Sequence, residues 1–374
     1  MRTPALRASI VAIALLAPFS TLEAQSTSAG PDWSHGLQFS GLIDGYYNYN
    51  ANHPPESDNG NQLRNFDFNA NSFSLSMAKL TIAHDPAPVG FHVDLGFGKA
   101  FTTILASEPN FKYLEQAYVS YKPSNARGFE ADFGQFVTSA GAEVIEANSN
   151  WNYSRSLLFA LAIPYYHVGL RATFPLTTTF TAGLQLVNGW NNFTDNNSGK
   201  TIGITGSWTK PKFTLSTNYY VGPENDHTNK GYRNLFDGVL LLTLTSKLNA
   251  YINYDYGQNR NAVEDESGKF TAGSLSRWQG IAVAAHYQPT AKSSFTPRLE
   301  YFIDSQGFST GTAQKLNEFT MTYEYKMVEG LLARVEFRND HSNVNFFDKD
   351  KNPASTTNQP GITVGMIAFF GPKR

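Results

Sequence analysis

The sequence predicts an all-β fold, a transmembrane antiparallel up-and-down β-barrel of about 16 strands with long extracellular loops and short periplasmic turns. Three observations lead to this fold class: segments in which apolar and polar residues alternate, connections that are alternately long and short, and an unusual composition. Aromatic residues make up 14% of the chain and charged residues 16%, against about 25% charged residues in typical soluble domains. Such a composition suits strands with one apolar and one hydrated face.

Residues 1–24 are predicted to be a secretory signal peptide. Arg2 and Arg7 give it a positive start, an apolar stretch follows, and residues 22–24 (Leu-Glu-Ala) offer a cleavage site. The apolar stretch is shorter than the roughly 20 residues that a membrane-spanning helix needs. The mature chain, 25–374, is then expected to form a single outer-membrane β-barrel domain.

The composition also argues against several classes of function. The chain has no Cys, a formal net charge of −2 and no second apolar run of helix-spanning length. Without Cys, a disulfide scaffold and thiolate metal sites are excluded. The mild net charge gives no indication of a nucleic-acid partner. The His residues are scattered without the spacing of metal ligands, so no metal site and no cofactor are predicted.

Alternation is clearest in residues 91–98 and 248–256, where every second residue is apolar and the residues between include His, Asp and Asn. A tilted strand needs about 9–11 residues to cross a bilayer. In 72–84 the apolar residues change face between Met77 and Leu80, which predicts a β-bulge. The candidate strands are 37–49, 72–84, 89–99, 114–122, 129–137, 165–174, 178–190, 200–209, 212–222, 235–245, 247–257, 277–287, 292–304, 316–326, 329–340 and 360–370.

The connections between these strands alternate in length. Short connections such as 85–88 and 210–211 contain Pro, whereas the long ones are rich in Asn, Asp and Gly. With an even number of strands, all long loops lie outside and both chain ends lie on the periplasmic side. Aromatic residues gather near the strand ends, as expected for belts at the two membrane interfaces. A soluble β-sandwich or β-helix would explain neither feature. The long loops are 50–71, 99–113, 138–164, 191–199, 223–234, 258–276, 305–315 and 341–359.

Several segments resemble the OmpL-like outer-membrane β-barrel porin family. They are Gly-Ala-Glu-Val-Ile-Glu at 141–146, Tyr-Ser-Arg-Ser-Leu-Leu-Phe at 153–159, Pro-Tyr-Tyr-His-Val-Gly at 164–169, Gly-Leu-Ile-Asp-Gly-Tyr at 41–46 and Leu-Val-Asn-Gly-Trp-Asn at 186–191. The resemblance covers roughly the whole chain after the predicted signal peptide. It implies a barrel and suggests a pore, without naming a solute.

Loop 138–164 is the longest of the long loops and carries an apolar run at 157–162. We expect it to fold into the lumen and narrow it, as the third loop does in the 16-stranded porins that the chain resembles. Acids of the loop would face bases of the wall and create a transverse field that orients polar solutes. Arg155, within the loop, could instead pin it to the wall, and the charges could simply pair with each other. The predicted constriction residues are Glu143, Glu146, Arg155, Arg171, Arg298, Arg334 and Arg338.

The leading functional prediction is passive diffusion of small hydrophilic solutes through a porin-type channel in the Gram-negative outer membrane. The expected partners are outer-membrane lipid and small solutes or ions, and the resemblance to porins suggests a homotrimer. Tyr and Asn residues on the predicted inward face mildly favour sugars, because aromatic rings stack on sugar faces. These residues are Tyr46, Tyr220, Tyr251, Asn218 and Asn253.

Two other functions are considered. An outer-membrane enzyme would need a nucleophile, a base and an acid near one rim, and no such spacing is present. A non-conducting structural or adhesin-type barrel would use its extracellular loops, in particular 50–71, 258–276 and 341–359, as a binding surface.

Overall fold

The structure, a computed structural model, describes residues 36–55, 60–106, 108, 110–350 and 352–371. The predicted signal peptide lies outside these residues. Helix is limited in the described part to α1 (Lys99–Ile104), α2 (Leu157–Leu161) and a 3-10 turn at Ala147–Ser149. None of these helices has the length and hydropathy to cross a membrane.

The described residues form eighteen strands, all paired antiparallel. Sixteen of them close into one barrel in which β1 pairs with β18, so the predicted strand number and up-and-down order are confirmed. The strands are β1 Leu37–Asn50, β2 Ser72–His84, β3 Val89–Phe97, β4 Leu114–Tyr121, β5 Glu130–Val137, β6 Tyr166–Pro175, β7 Phe180–Val187, β8 Thr201–Lys210, β9 Phe213–Gly222, β10 Arg233–Thr245, β11 Leu248–Glu264, β12 Phe270–Tyr287, β13 Ser293–Asp304, β14 Gln314–Val328, β15 Leu331–Ser342, β16 Phe347–Lys349, β17 Asn352–Thr356 and β18 Asn358–Phe370.

The two faces of the barrel wall reverse the arrangement of a soluble protein. Along β14, Glu318, Thr320 and Thr322 are buried, whereas Phe319 and Met321 between them are exposed. Apolar side chains therefore point outward and polar ones into the lumen. In a bilayer the outer face contacts hydrocarbon, and closure of the sheet leaves no unpaired strand edge in lipid.

The bulge predicted in β2 is confirmed. The register between β1 and β2 shifts so that Asp44 pairs with Met77 and Gly45 with Leu75, which leaves Ser76 as the extra residue. Odd-numbered side chains of β2 point outward before the bulge and inward after it. The shift places Leu80 on the lipid face, and it turns Lys79 into the lumen.

Two predicted loops contain strands instead. Strands β11 and β12 continue past the predicted strand ends and pair up to Glu264 and Phe270. The turn between them is closed by Asp265, which accepts hydrogen bonds from the N–H groups of Ser267 and Lys269 at 2.9 and 3.0 Å. The prediction of a loop at 258–276 was wrong because this hairpin extends beyond the lipid, where strands need no apolar face. Loop 341–359 likewise holds the small sheet β16–β17.

Candidate constriction site in the barrel lumen

Loop 138–164 lies inside the barrel, where inward side chains of the wall accept hydrogen bonds from its backbone. The N–H of Gly141 donates to Asp237 of β10 at 3.0 Å, and that of Ala142 to Asn253 of β11 at 3.2 Å. Further along, the N–H of Tyr153 donates to Glu336 of β15 at 2.6 Å. Buried backbone donors need such partners, so the wall fixes the path of the loop.

The apolar run in the loop forms the short helix α2, and carboxylates satisfy the free N–H groups at its start. Glu300 of β13 accepts from Leu157 N and Leu158 N at 2.9 and 3.2 Å. Ser156 caps the helix by accepting from Phe159 N at 3.0 Å. Both arrangements are favourable at a helix N-terminus. The side chains of Leu157, Leu158 and Phe159 are buried in an apolar cluster within the barrel.

Two arginines of β15 hold the loop through its carbonyl groups. Arg334 donates to the carbonyls of Ala147, Asn150 and Asn152 at 2.7, 2.6 and 2.9 Å. Arg338 donates to the carbonyl of Arg155 at 2.5 Å. A planar guanidinium offers five donors in a fixed fork, so each arginine can bind several carbonyls of an irregular segment at once.

Arg298 of β13 lies at the centre of a buried ionic cluster. Its side chain forms ion pairs with Glu143 of the loop at 2.6 Å, Glu300 at 3.2 Å and Glu318 at 3.4 Å. All four side chains are at most 4% exposed. The expected arrangement had acids and bases facing each other across open space. Direct contact is found instead, because a desolvated charge is stable only with a close partner.

Arg155 binds the loop itself rather than the wall. Its Nε donates to Val144 O at 3.0 Å, and its other nitrogens bond the carbonyls of Tyr153 and Ile145. The guanidinium lies 4.9 Å from the centre of the Phe66 ring, which belongs to the loop between β1 and β2. Arg155 therefore closes the loop on itself and joins it to a second inward-folded loop.

The last two predicted residues, Glu146 and Arg171, do not join the Arg298 cluster. Glu146 forms an ion pair with Lys79 of β2. Arg171 of β6 pairs with Asp132 of β5 at 2.7 Å and lies over the Phe136 ring at 4.5 Å. Five of the seven predicted residues thus hold the central part of the loop, Glu146 attaches the loop to β2, and Arg171 pairs within the wall.

The Tyr and Asn residues for which the sequence predicts contacts with sugars mostly contact the loop instead. Asn218 Nδ2 donates to Ser139 O at 3.1 Å, and the Tyr251 hydroxyl donates to Glu143 at 3.4 Å. Asn253 accepts from the loop, and the Tyr46 ring lies 6.0 Å from that of Tyr153. These side chains therefore hold the loop, and their presence in the lumen does not by itself favour sugars.

Open space in the lumen borders the loop at residues 139–143 and 146–151. A cavity of about 640 Å³ is lined by Glu146, Asn148 and Ser149 of the loop and reaches Ser40 and Phe370 at the periplasmic end of the barrel. A second cavity, of about 310 Å³, is lined by Ser149, Asn150 and Trp151 and by side chains of β9, β10 and β11. Ser149 lines both cavities, so segment 146–151 lies between the two open spaces.

The contact between Trp278 of the barrel wall and the loop can be tested by a substitution at a neighbouring glycine. Trp278 of β12 donates from Nε1 to Ala162 O at 3.1 Å, and a Cβ on Gly257 of β11 would lie 2.0 Å from the indole. We expect Gly257→Val to displace Trp278 and lower the free energy of unfolding by about 1–3 kcal/mol, as overpacking does. Denaturant unfolding of the refolded barrel measures this. In the control Gly238→Val, the new Cβ would meet only the Phe236 ring, at 3.4 Å, and an equal loss there would contradict the specific contact.

Comparison with known proteins supplies the family. The family model described as beta-barrel porin-2, OmpL-like matches residues 36–370. No curated protein matches the sequence.

Solved structures with the same fold include several outer-membrane proteins. OmpT of Vibrio cholerae is 10% identical, with 89% of this chain and 97% of that chain covered and a TM-score of 0.58. The outer-membrane channel DcaP of Acinetobacter baumannii is 12% identical, with the same coverage and a TM-score of 0.56. OmpF of Salmonella typhi, in complex with daunomycin, is 14% identical, with 89% and 97% coverage and a TM-score of 0.56. The family match and the closed 16-stranded barrel together show that the chain belongs to the beta-barrel porin-2, OmpL-like family and is a porin-type channel protein of the Gram-negative outer membrane.

Proposed function

We propose that loop 138–164 forms the constriction of this channel, so that small hydrophilic solutes diffuse passively past the loop and no reaction is catalysed. The observation that supports this most directly is the span of the loop. Glu146 contacts β2 and Gly141 contacts β10, and these two strands are eight positions apart in the ring of sixteen. The loop therefore reaches across the lumen from one wall to the opposite one.

The predicted constriction residues have two roles in this proposal. Glu143, Arg155, Arg298, Arg334 and Arg338 are buried in contacts that hold the loop. The four arginines set the size of the opening without lining it, whereas Glu143 also lines the cavity of about 310 Å³. Glu146, whose side chain is 24% exposed, faces the solute path, and Arg171 lines the wall farther along. A loop fixed at many points keeps a constant narrow section, which limits solutes by size and charge.

A single introduced thiol tests this proposal, because the natural chain has no Cys. We expect a charged methanethiosulfonate reagent to reduce the single-channel current of Ser149→Cys in a planar bilayer at least about twofold, since the added group would fill a narrow section. The control is Ser267→Cys, on the exposed turn between β11 and β12. Current that stays unchanged after complete modification at position 149 would refute the constriction.

The same recording separates a channel from a structural or adhesin-type barrel. Stepwise openings support diffusion, whereas a folded barrel without conductance would favour the second function. In that case the protruding β11–β12 hairpin would be the surface to study. Loop 50–71 is less suited to that function, because its Arg64 and Phe66 are buried against the lumen wall and loop 138–164.

We also propose that the barrels associate as homotrimers. One structure of the V. cholerae OmpT, 11% identical to this chain, is described as a trimer form. The outward face of the barrel is apolar, so barrel walls could pack against each other in the membrane. Native mass spectrometry of the detergent-extracted protein would give the number of chains, and a single-chain mass would contradict the proposal.

A further inference from the structure

The interior of the barrel carries many more acids than bases. Over the whole chain, Asp and Glu number 31 and Lys and Arg 29. Among the described residues, however, the buried charged residues are fourteen acids and five arginines, and Lys79 and Arg171 add two partly buried bases on the lumen face. Four of these arginines bind the loop or its ionic cluster, as described above. The lumen therefore has more acidic than basic side chains, an arrangement that favours cations over anions.

Part of this excess is concentrated around Lys79. Its Nζ lies 2.9 Å from Asp94 of β3 and 2.7 Å from Glu115 of β4, and it also pairs with Glu146 of the loop. An oxygen of each of the three carboxylates lies within 4.8 Å of the others. One ammonium thus faces three carboxylates, of which Asp94 is also contacted by His92 Nε2 at 2.8 Å.

A second observation concerns Glu115. Its side chain is 1% exposed, and its Oε1 has no hydrogen-bond partner among the described residues. A buried carboxylate oxygen without a partner is costly. The cluster borders the cavity of about 640 Å³, whose wall includes Lys79, Asp94 and the half-buried Glu146. A positively charged group in this cavity would meet Glu146 first, while Glu115 lies behind the cavity wall.

We propose that the cluster of Lys79, Asp94, Glu115 and Glu146 is a binding site for the ammonium group of small organic amines, and that the channel favours cations. Lys79 already places one ammonium among these carboxylates, so the geometry suits a second group of the same kind. A metal ion would have to displace Lys79 from the oxygens. An amine in the cavity need only donate to Glu146, whose side chain is 24% exposed, because the oxygens of Asp94 already accept from Thr81 and Gln116. The inference rests on the proposed solute path, which passes Glu146.

Ion selectivity tests the inference in the open channel. Reversal potentials in a KCl gradient should show severalfold higher permeability for K⁺ than for Cl⁻, and 1,4-diaminobutane should reduce the K⁺ current. Glu146→Gln should lower both effects. Lys79→Met, which removes the tethered ammonium, should strengthen them. Glu266→Gln removes the same charge from the exposed tip of the β11–β12 hairpin and serves as the control.

Binding can also be measured without conduction. Isothermal titration of the detergent-solubilised barrel with 1,4-diaminobutane should give saturable binding that Glu146→Gln weakens severalfold. If the channel conducts without cation preference and binds no diamine, the amine site is refuted. The proposal that the loop forms the constriction is not affected by that result. A different result would separate the two proposals. If diamine binding depends on Glu146 but the current of Ser149→Cys is unchanged after modification, the constriction is refuted and the amine site is supported.

Discussion

Deletion of residues 142–161 is expected to raise the single-channel conductance severalfold. The deletion removes the contacts of the loop with β2, β11, β13 and β15. It also joins the two cavities on either side of segment 146–151. The remaining residues still connect β5 to β6, which are neighbours in the barrel. Conductance of a water-filled pore is set by its narrowest section, so removal of that section has a larger effect than any single charge change.

The deletion has a direct control and a clear contrary result. Replacement of the turn residues 265–269 by Asn-Gly shortens another loop, but one that lies on the exposed hairpin. It should leave the conductance unchanged, because Asn-Gly suits a two-residue hairpin turn. Equal conductance of the deletion variant and the natural chain, with both shown to be folded, would mean that the loop is not the limiting section.

The deletion should also show what the lumen charges do without the loop. Glu300 and Glu336 lose the N–H donors of the loop, and Arg334 loses three carbonyl acceptors. All would then face water, where unpaired charges cost little. We therefore expect the shortened barrel to fold, and we expect its current to depend more steeply on salt than that of the natural channel.

The barrel itself could be predicted because lipid imposes a simple rule on the sequence. Every strand that crosses the membrane must carry apolar residues at every second position, and the turns on one side are short. The rule also located the bulge in β2, where the apolar residues change face. The rule applies only to the part of a strand that lies within the membrane. For this reason it did not predict that β11 and β12 extend to Glu264 and Phe270.

The candidate site was predictable only in part. The two-residue period identified the inward arginines. It also places Glu318 on the same face of β14 as Thr320 and Thr322, so this partner of Arg298 could have been found. The alternation of β2 places Lys79 on the inward face only if Ser76 is counted as the extra residue of a bulge. The carbonyl groups that Arg334 and Arg338 bind depend on the path of an irregular loop, and no local pattern encodes that path.

The second large effect is expected at Arg298. Arg298→Met would leave Glu143, Glu300 and Glu318 buried without their shared cation. Removal of one partner from a buried ion pair costs about 3–5 kcal/mol, since the remaining charge stays desolvated. We therefore expect a loss of this size in the free energy of unfolding, measured by denaturant titration of the refolded barrel. Arg298→Lys should recover only part of it, because Lys lacks the planar fork that reaches several acceptors.

Two further variants separate this ionic effect from a packing effect. In Arg298→Met with Glu318→Gln, one of the stranded carboxylates is neutral, so the double variant should be more stable than Arg298→Met alone. In Arg171→Met the lost ion pair is with Asp132, and the arginine side chain is 22% exposed. Partly exposed pairs contribute about 1 kcal/mol or less, so this barrel should lose far less stability. If Arg171→Met and Arg298→Met were equally destabilising, the loop would not depend on the buried cluster. If the double variant gained nothing, the shape of the arginine rather than its charge would hold Glu143 and the loop in place.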